Sequence, residues 1–352
     1  MTSSTWWGGP VASEPRFGNL LKVLRCEAPD RPTLFEFFLN GRLYRKLAGA
    51  AWTDDLSLAS QWRMLMAAFR AAGYDYATVN GSYFRFPGGE HDRAQTISLN
   101  QGAVITDRKS FDAYSWPDPE AQDYTTPKTI APDMPRGMKL IVCGPGGVLE
   151  NVISLVGYDN LCFMLADDPR LASDIFEQVG RRLVHHYQKA ACHDTVGACI
   201  SNDDWGFKTQ TMLSVADMRK YVFPWHVKIV EAIHAAGKPA ILHSCGEARE
   251  IMEDIITLMR YDGKHSYEDV IMPVEDAYAR WGGRIAILGG IDVDFIMRST
   301  PEGIYRRSRA MIDRSATRGG FALGTGNSVP EYIEDEKYFA MTRAALEGRQ
   351  QA

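Results

Sequence analysis

The chain has 352 residues, and 45% of them are hydrophobic, which is enough to build a large buried core. Its 39 basic and 44 acidic side chains leave a formal net charge of −5, which excludes a broad attraction to nucleic acid or to an anionic membrane. No apolar run approaches the roughly 18 residues of a membrane-spanning helix, and residues 1–18 lack the basic and apolar segments of a signal peptide. The six cysteines are scattered, so we expect reduced thiols in a cytoplasmic protein.

Short, apolar, β-branched runs alternate with longer helical patterns, and nearly every run ends in Gly, Asn, Asp, Ser or His. Strands that alternate with helices predict a parallel sheet. Eight such runs favour a closed (β/α)8 TIM barrel over a doubly wound sheet. We therefore predict one α/β barrel domain over residues 1–352, with an N-terminal extension at 1–20. The predicted strands are 33–38, 76–79, 139–142, 197–200, 239–242, 262–266, 284–288 and 320–323.

The helical patterns between these runs carry clear boundary signals. Ser214 is a predicted N-cap of a helix that ends before Gly237, and Thr300 is a predicted N-cap that is followed by Pro301 in the first turn. Residues 83–137 are rich in Pro, Asp and Gly, so we predict a long loop inserted after the second strand that helps to form a lid or pocket wall. The predicted helices are 56–72, 147–165, 169–191, 214–236, 248–260, 274–281, 301–317 and 335–346.

The strongest chemical motif is His243-Ser244-Cys245-Gly246, which follows a predicted strand. Barrel enzymes place their catalytic groups at the C-terminal ends of the strands. Residues i and i+2 of a strand point to the same side, so His243 and Cys245 face one direction together. Imidazole and thiolate are preferred zinc ligands. The alternative is a buried histidine that is hydrogen-bonded to the backbone beside a small core cysteine.

Four adjacent residues, Asn202-Asp203-Asp204-Trp205, follow another predicted strand. The two carboxylates suit acid–base chemistry or a cationic substrate. Because neighbouring residues of a strand point in opposite directions, we expect at most one of them to face the pocket. A helix cap or a turn is the alternative function of this pair.

Several other strand-end residues are candidates for the site. Glu36 lies in an apolar run and is either a buried carboxylate with a raised pKa or a partner of Arg42 or Arg45. The predicted substrate contacts are Asn80, Tyr83, Trp205, Gly290 and Asp292.

Three further motifs have structural interpretations that compete with a function in the site. Asp292 is equally suited to cap the next helix. The glycines of residues 144–147 suit a plain tight turn better than an anion-binding nest. The pair His185-His186 is expected on the solvent-exposed surface of its helix.

From about residue 202 onwards the chain resembles the uroporphyrinogen decarboxylase superfamily. The resemblance is carried by Asp203-Asp204-Trp205-Gly206, by the helix that begins at Ser214 and by residues 235–246, 287–293 and 324–330. It covers about 150 residues, and the N-terminal half is similar only loosely. The fold that the resemblance implies is a (β/α)8 barrel.

The superfamily has two main branches, and this chain resembles the corrinoid-dependent methyltransferases more than the true decarboxylases. The decarboxylases carry an arginine-bearing motif near the N-terminus that holds tetrapyrrole carboxylates, and residues 36–42 lack it. The methyltransferases carry His-x-Cys at the position of His243 and Cys245, with a later Cys as the third zinc ligand. Here Asn327 or Ser328 occupies that later position, and no Cys follows Cys245. The substitutes considered for the third ligand are Asp292, His265, Cys143, Asn327 and Glu36.

The resemblance implies a zinc-dependent methyltransferase that moves a methyl group between a corrinoid and a thiol or a methylated small molecule. The candidate catalytic residues are Asp204, Asp203, Glu36 and Asn202. The expected partners are a small-molecule substrate, a corrinoid protein that carries methylcobalamin and, in a homodimer, a second copy of the chain. The alternatives are a tetrapyrrole decarboxylase, in which Asp204 stabilises a protonated pyrrole, and a barrel that binds without catalysis.

Overall fold

The structure is a computed structural model that describes residues 14–89 and 98–349. Within these residues, seven strands form one sheet in the order β1-β2-β3-β4-β5-β6-β7. A doubly wound sheet reverses its strand order at a switch point, so the sequential order contradicts that alternative. The strands are β1 (Tyr76–Asn80), β2 (Lys139–Cys143), β3 (Val196–Asn202), β4 (Ala240–His243), β5 (Gly263–His265), β6 (Ala286–Leu288) and β7 (Phe321–Ala322).

The predicted first strand, 33–38, is not a full strand in the structure. It forms one isolated parallel bridge, between Leu34 and Leu323. At Glu36 the backbone N–H donates to the hydroxyl of Tyr76 at 2.6 Å, and the same hydroxyl donates to the Glu36 carbonyl at 2.7 Å. At this residue a tyrosine side chain thus takes hydrogen bonds that a neighbouring strand would otherwise make, whereas Thr33 and Phe35 still bond to the backbone of Leu323.

The helices of the described residues follow the predicted pattern with some interruptions. The helix predicted at 169–191 and the helix predicted at 274–281 have the expected bounds. The α-helices are α1 (Phe17–Leu24), α2 (Gly41–Ala48), α3 (Leu58–Ala71), α4 (Arg108–Ala113), α5 (Thr126–Thr129), α6 (Val148–Val156), α7 (Tyr158–Asp167), α8 (Pro169–Ala191), α9 (Val215–Asp217), α10 (Phe223–Ala235), α11 (Val274–Trp281), α12 (Val293–Arg298), α13 (Pro301–Ser315) and α14 (Asp335–Gly348).

Three predicted helices are not regular. The helix predicted at 147–165 is two helices, α6 and α7, which are bent by 95° across Gly157. Ser214 caps α9 as expected, but a π-helical stretch, Met218–Val222, precedes α10. Pro224 has no N–H to donate to the carbonyl four residues earlier, which explains the local shift in hydrogen bonding. The prediction of a single regular helix at 248–260 is wrong. This segment contains a 3-10 turn, Arg249–Ile251, and a second π-helical stretch, Asp254–Leu258.

Two compact units divide the chain, and each combines segments that are separate in sequence. The first unit consists of Met1–Val79, Thr126–Ile141 and His265–Ala352. In it, β6 and β7 are parallel, with Leu288 opposite Ala322. Ala48, Met64 and Ala68 form a small core between α2 and α3. The single-domain organisation over 1–352 stays a prediction.

Part of the predicted N-terminal extension belongs to the packed body of this first unit. Residues 1–13 lie outside the described residues, but α1 begins at Phe17, and its N–H donates to the Gly137 carbonyl at 2.9 Å. A Cβ at Gly137, where φ is +78°, would lie 2.1 Å from the Pro15 carbonyl oxygen. Residues 15–20 are therefore not a free tail.

The second unit consists of Asn80–Thr125 and Val142–Lys264 and contains the candidate site. Strands β3 and β4 run parallel in a register that places Asn202 opposite His243, so the residues after both strands emerge side by side. The long helix α8 packs on α10 at Gly180, where a Cβ would lie 2.1 Å from the Trp225 ring.

The segment between β1 and β2 is less irregular than predicted. It contains α4, α5 and two 3-10 turns, while residues 90–97 lie outside the described residues. Whether it is an insertion stays a prediction. Of the described helices, none is by itself long and apolar enough to cross a membrane, and only α6 and α7, bent by 95°, meet that test as a pair.

Candidate metal centre and active site

Three side chains with metal-ligating atoms meet beyond the ends of β3 and β4. They are Asp204, His243 and Cys245, and their ligand atoms all lie within 4.8 Å of one another. The Nε2 of His243 lies 3.6 Å from the Sγ of Cys245. His243 is buried, and the other two are partly exposed. The predicted proximity of His243 and Cys245 is therefore present, although the strand ends at His243, and Asp204 joins the pair.

The loops after β3 and β4 are held together by their backbones. The N–H of Cys245 donates to Oδ1 of Asp204 at 2.9 Å, and the N–H of Glu247 donates to the Phe207 carbonyl at 2.8 Å. Gly246 has a φ of +83°, and a Cβ there would lie 2.0 Å from the Gly206 carbonyl oxygen. The approach that brings Asp204 to Cys245 thus requires glycine at position 246.

Asp203 has a different environment from Asp204. Its carboxylate is fully buried and accepts the N–H groups of Leu149 at 2.9 Å and Glu150 at 2.8 Å, at the start of α6. It also lies 2.9 Å from Nε2 of His226, whose Nδ1 lies 2.7 Å from the Tyr261 hydroxyl. The buried donors occupy both oxygens, so Asp203 orients neighbouring groups and does not face the pocket.

The same contacts decide the function of the glycine turn before α6. Gly147 precedes the helix, and the anion at the helix N-terminus is the protein's own Asp203. A Cβ at Gly147 would lie 2.0 Å from the Cβ of Asp203. The turn is therefore a close-packing element whose N–H groups already have an acceptor.

Sequence reasoning missed Glu150. Its Oε2 accepts the Gly147 N–H at 2.9 Å and lies 3.3 Å from Nδ2 of Asn202. Burial raises the pKa of Glu150 to about 8, and the charges of Asp203 and Asp204 add to the effect. A glutamate three residues after a helix-capping glycine is a capping-box signal that could have located it.

The predicted substitutes for the third ligand have other partners. Asp292 caps α12 through the Phe295 N–H at 2.7 Å, and its second oxygen accepts the Asp269 N–H at 2.9 Å. The capping function is confirmed, and each of the two oxygens of Asp292 accepts a backbone N–H. Nε2 of His265 lies 3.1 Å from the Thr325 carbonyl oxygen.

Cys143 and Asn327 also lie outside the group of three. The thiol of Cys143 donates to Oδ1 of Asn80 at 3.1 Å, and burial raises its pKa to about 12. Oδ1 of Asn327 accepts the Ser328 N–H at 2.7 Å. The third residue of the group is Asp204, which the sequence indicated for catalysis and not for metal binding.

Glu36 is a buried carboxyl group, as predicted. Its oxygens accept the Thr325 N–H and hydroxyl, each at 2.7 Å. Burial raises the pKa of Glu36 to about 8, although both hydrogen bonds from Thr325 oppose the shift. The alternative pairing is wrong, because Arg42 bonds to Asp335 and Arg45 lies over the ring of Trp52.

The predicted substrate contacts separate into two groups. Asn80 and Tyr83 line a cavity at the ends of β1 and β2. The side chain of Trp205 is fully buried and packs edge-on against His226 with ring centroids 4.8 Å apart, so its contact with substrate stays a prediction. Gly290, with a φ of +105°, packs where a Cβ would lie 2.4 Å from Val274.

His186 contradicts the prediction of a surface histidine. Its side chain is 1% exposed, and it lines the same cavity as Asn80. Burial lowers the pKa of His186 to about 4, so its imidazole is neutral at pH 7. The helical period could have revealed this inward position, because His186 lies seven residues after Val179 and three after Leu183 on the buried face of α8.

Fold and site together define an α/β protein with a parallel sheet and a group of metal-ligating side chains at the carboxyl ends of its strands. Residues 111–347 match the family described as Uroporphyrinogen decarboxylase (URO-D). The chain belongs to this family of enzymes, which confirms the resemblance that the sequence indicated.

Its relatives include both branches of the superfamily. The chain is 28% identical over 123 residues to a methylated-thiol–coenzyme M methyltransferase of Methanosarcina mazei, covering 35% of this chain and 32% of that protein. It is 24% identical over 185 residues to a uroporphyrinogen decarboxylase of Streptomyces avermitilis, covering 51% of this chain and 47% of the relative. The chain thus matches less than half the length of these two relatives.

A solved methyltransferase from Methanosarcina mazei has the same fold. It superposes with a TM-score of 0.69 at 14% sequence identity and covers 94% of this chain and 97% of that chain. At this identity the likeness concerns the fold alone.

Proposed function

We propose that the protein is a zinc-dependent methyltransferase that transfers a methyl group between a corrinoid and a thiol or a methylated small molecule. The observation that carries the proposal is the meeting of Asp204, His243 and Cys245 at the strand ends. The methylated-thiol specificity named for one relative supports the thiol as a reactant.

The three side chains fit zinc in type and in spacing. Catalytic zinc takes three protein ligands from His, Cys and Asp or Glu and keeps one position open. With bonds of about 2.1 Å to nitrogen and about 2.3 Å to sulfur, a tetrahedral centre places those two atoms about 3.6 Å apart. The observed separation of His243 Nε2 and Cys245 Sγ is 3.6 Å. Without a metal, a hydrogen bond between the Cys245 thiol and the His243 imidazole gives the same separation.

Asp204, His243 and Cys245 would hold the metal, which when bound lowers the pKa of a substrate thiol and favours the thiolate nucleophile. Asp203 anchors the backbone beside Asp204, because its own N–H donates to the His243 carbonyl at 2.9 Å while its carboxylate holds α6. The buried Trp205 ring packs edge-on against His226, the imidazole that holds Asp203. The methyl group would move from the corrinoid to the thiolate, and the thiol proton would leave to solvent.

The proposal also includes the protein partners, the cellular location and the closure of the sheet into a barrel. A corrinoid protein would present the methyl group, and a homodimer and a cytoplasmic location are expected from the sequence. We also propose that residues 33–38 occupy the eighth position of a (β/α)8 barrel. The bridge between Leu34 and Leu323 supports this position beside β7.

A tetrapyrrole decarboxylase is the second candidate, because several decarboxylases are among the relatives. At residues 36–42 the chain lacks the arginine motif of that branch, and Glu36 is hydrogen-bonded to Thr325. We therefore expect no turnover of uroporphyrinogen. Formation of coproporphyrinogen at about 0.1 s⁻¹ or faster, within the slow range of enzymes, would favour the decarboxylase.

Zinc titration tests the metal centre. Zinc at a hundredfold excess over Kd should stabilise the wild type by about 2.7 kcal/mol, measured by thermal or urea unfolding. His243→Ala, Cys245→Ser and Asp204→Asn should each abolish most of that gain. Asp292→Asn is the matched control, since Asp292 was a rival ligand and its oxygens accept backbone N–H groups.

Two results would contradict the metal proposal. One is a melting temperature that zinc does not move in the wild type. The other is an equal loss of the zinc effect in Asp292→Asn.

A second experiment assays methyl transfer from methylcobalamin to the thiol of coenzyme M, with cob(I)alamin formation as the readout. Cys245→Ser should reduce the rate at least about a hundredfold. A loss of this size follows from the removal of about 2.7 kcal/mol of transition-state stabilisation.

A further inference from the structure

A cavity with a mixed polar and apolar lining lies in the second unit, at the ends of β1 and β2. It encloses about 230 Å³, and none of Asp204, His243 and Cys245 is among its described lining residues. Cavities that hold drug-sized ligands measure roughly 300–1,000 Å³, so an occupant here is small. The lining residues used below are Asn80, Tyr83, Phe84, Arg85, Cys143 and His186.

The inner wall of the cavity is aromatic and carries no charge. His186 is held by the Tyr124 hydroxyl, 3.1 Å from Nδ1, and by the Cys143 carbonyl oxygen, 3.4 Å from Nε2. Its ring stacks on Phe84 with a centroid separation of 6.0 Å. Burial keeps this imidazole neutral, with a pKa lowered to about 4. The inner wall therefore offers aromatic surface without a positive charge.

Hydrogen-bonding capacity remains at Asn80. Its Oδ1 accepts the thiol of Cys143 at 3.1 Å, and its Nδ2 donates to no residue that the structure describes. This carboxamide is oriented by the thiol, because a thiol proton requires the oxygen as its acceptor. The amide nitrogen is thus a pre-oriented donor at the cavity.

The positive charge of the cavity comes from Arg85. Its side chain is exposed, and across residues 14–89 and 98–349 it forms neither an ion pair nor a hydrogen bond. Most arginines near this unit's surface do have partners, such as Arg182, which donates to the Pro117 carbonyl at 2.7 Å. A guanidinium presents a planar fork that matches a carboxylate or sulfonate.

From these groups we infer that the cavity binds a small organic anion, a short-chain carboxylate or sulfonate. The anionic group would pair with Arg85 and accept from Nδ2 of Asn80. The alkyl part would lie on the rings of Tyr83 and Phe84. This inference goes beyond the proposed function and does not require the metal centre.

The test uses metal-free protein, so that a carboxylate cannot bind zinc, with no methyl donor or acceptor present. Butyrate and propane-1-sulfonate are titrated by calorimetry or by NMR, and butyramide is the neutral probe of matched shape. Both anions should bind saturably at millimolar concentrations, and butyramide at least tenfold more weakly. Acetate should bind several-fold more weakly than butyrate, since it buries less apolar surface.

Variants of two exposed arginines locate the binding site. Arg85→Gln should weaken butyrate binding to the level of butyramide, and Arg85→Lys should give an intermediate affinity because it keeps charge but loses the fork. Arg170→Gln, at an exposed arginine of α8 that does not line the cavity, is the matched control. If Arg85→Gln does not fold, the wild-type affinity must still fall as ionic strength rises.

Three outcomes would overturn the inference. They are equal affinity for butyrate and butyramide, an equal loss in Arg170→Gln, and the absence of saturable binding by either anion. A failure of this kind leaves the zinc titration unaffected, so the two proposals fail separately.

Discussion

Two strand-end regions carry similar polar residues, but the partners of these residues differ: side chains in one region and backbone N–H groups in the other. After β3 and β4, the ligand atoms of Asp204, His243 and Cys245 come within 4.8 Å of one another. After β6, both oxygens of Asp292 accept backbone N–H groups. An aspartate next to a helix start satisfies N–H groups that lack partners within the helix. The presence of a carboxylate at a strand end therefore indicates a site only when the backbone leaves an oxygen available.

The largest effect is expected at Asp203, the buried neighbour of Asp204. Asp203→Ala should lower the free energy of unfolding by about 3–5 kcal/mol, because it leaves His226 and two N–H groups buried without their partner. Urea denaturation measures it. Asp203→Asn keeps the shape and some acceptors, so its loss should be smaller. A loss below about 1 kcal/mol for the alanine variant, the net worth of one ordinary hydrogen bond, would contradict this structural function.

Glu36 should make the stability depend on pH. Its pKa is raised by burial from 4.5 to about 8 in the folded protein. The stabilisation that the protonated Glu36 contributes is therefore fully present below pH 4.5 and is lost as the pH rises towards 8. One group contributes at most about 1.4 kcal/mol per pH unit. Glu36→Gln should reduce the slope between pH 5 and pH 8, measured by urea denaturation at several pH values.

The slope should not vanish in that variant, since burial also raises the pKa of Glu150 to about 8. Glu14→Gln, at an exposed glutamate, is the control and should keep the wild-type slope. An unchanged slope in Glu36→Gln would contradict the buried, protonated state of this carboxyl group.

Asp292→Ala sharpens the comparison between the two regions. It removes a helix cap, so the free energy of unfolding should fall by about 1 kcal/mol. The zinc-dependent stabilisation should remain equal to that of the wild type. Thermal unfolding with and without zinc separates the two quantities, and a loss of the zinc effect would place Asp292 among the metal ligands.

Thiol alkylation gives the smallest but most local readout. Cys162 and Cys192 are exposed and should react first, whereas Cys143 and Cys199 are buried and should remain unmodified. Zinc should slow the alkylation of Cys245 and leave the rate at Cys162 unchanged, as measured by mass spectrometry of peptides. Equal rates at Cys245 with and without zinc would count against its function as a ligand.

Periodicity and strand-end chemistry predicted much of the fold and part of the site. Seven of the eight predicted runs are strands, and the predicted proximity of His243 and Cys245 is present, although β4 ends at His243 and Cys245 lies two residues beyond it. The run at 33–38 was predicted as a strand because its composition suits one. Its backbone bonds to Leu323 on one side, and at Glu36 it bonds to the Tyr76 hydroxyl, a contact between residues 40 positions apart that no local pattern contains.

The third residue of the metal centre could not be predicted from the strand period. Asp203 and Asp204 are adjacent, and alternation indicates only that they face opposite ways. Which of them faces the pocket depends on His226 and the start of α6, which bind Asp203 from inside the unit. Asp204 is left to the strand-end side, where Cys245 lies.

By itself the sequence determined the parallel α/β fold, the membership of the superfamily and the pairing of His243 with Cys245, because these depend on residue periodicity and on a contiguous motif. The tertiary structure alone decided that Asp204 and not Asp292 joins that pair, that His186 faces a cavity and that Arg85 stands at this cavity without a partner among the described residues. The physical reason is that the availability of a polar atom depends on which donors or acceptors fold against it, and those come from distant parts of the chain.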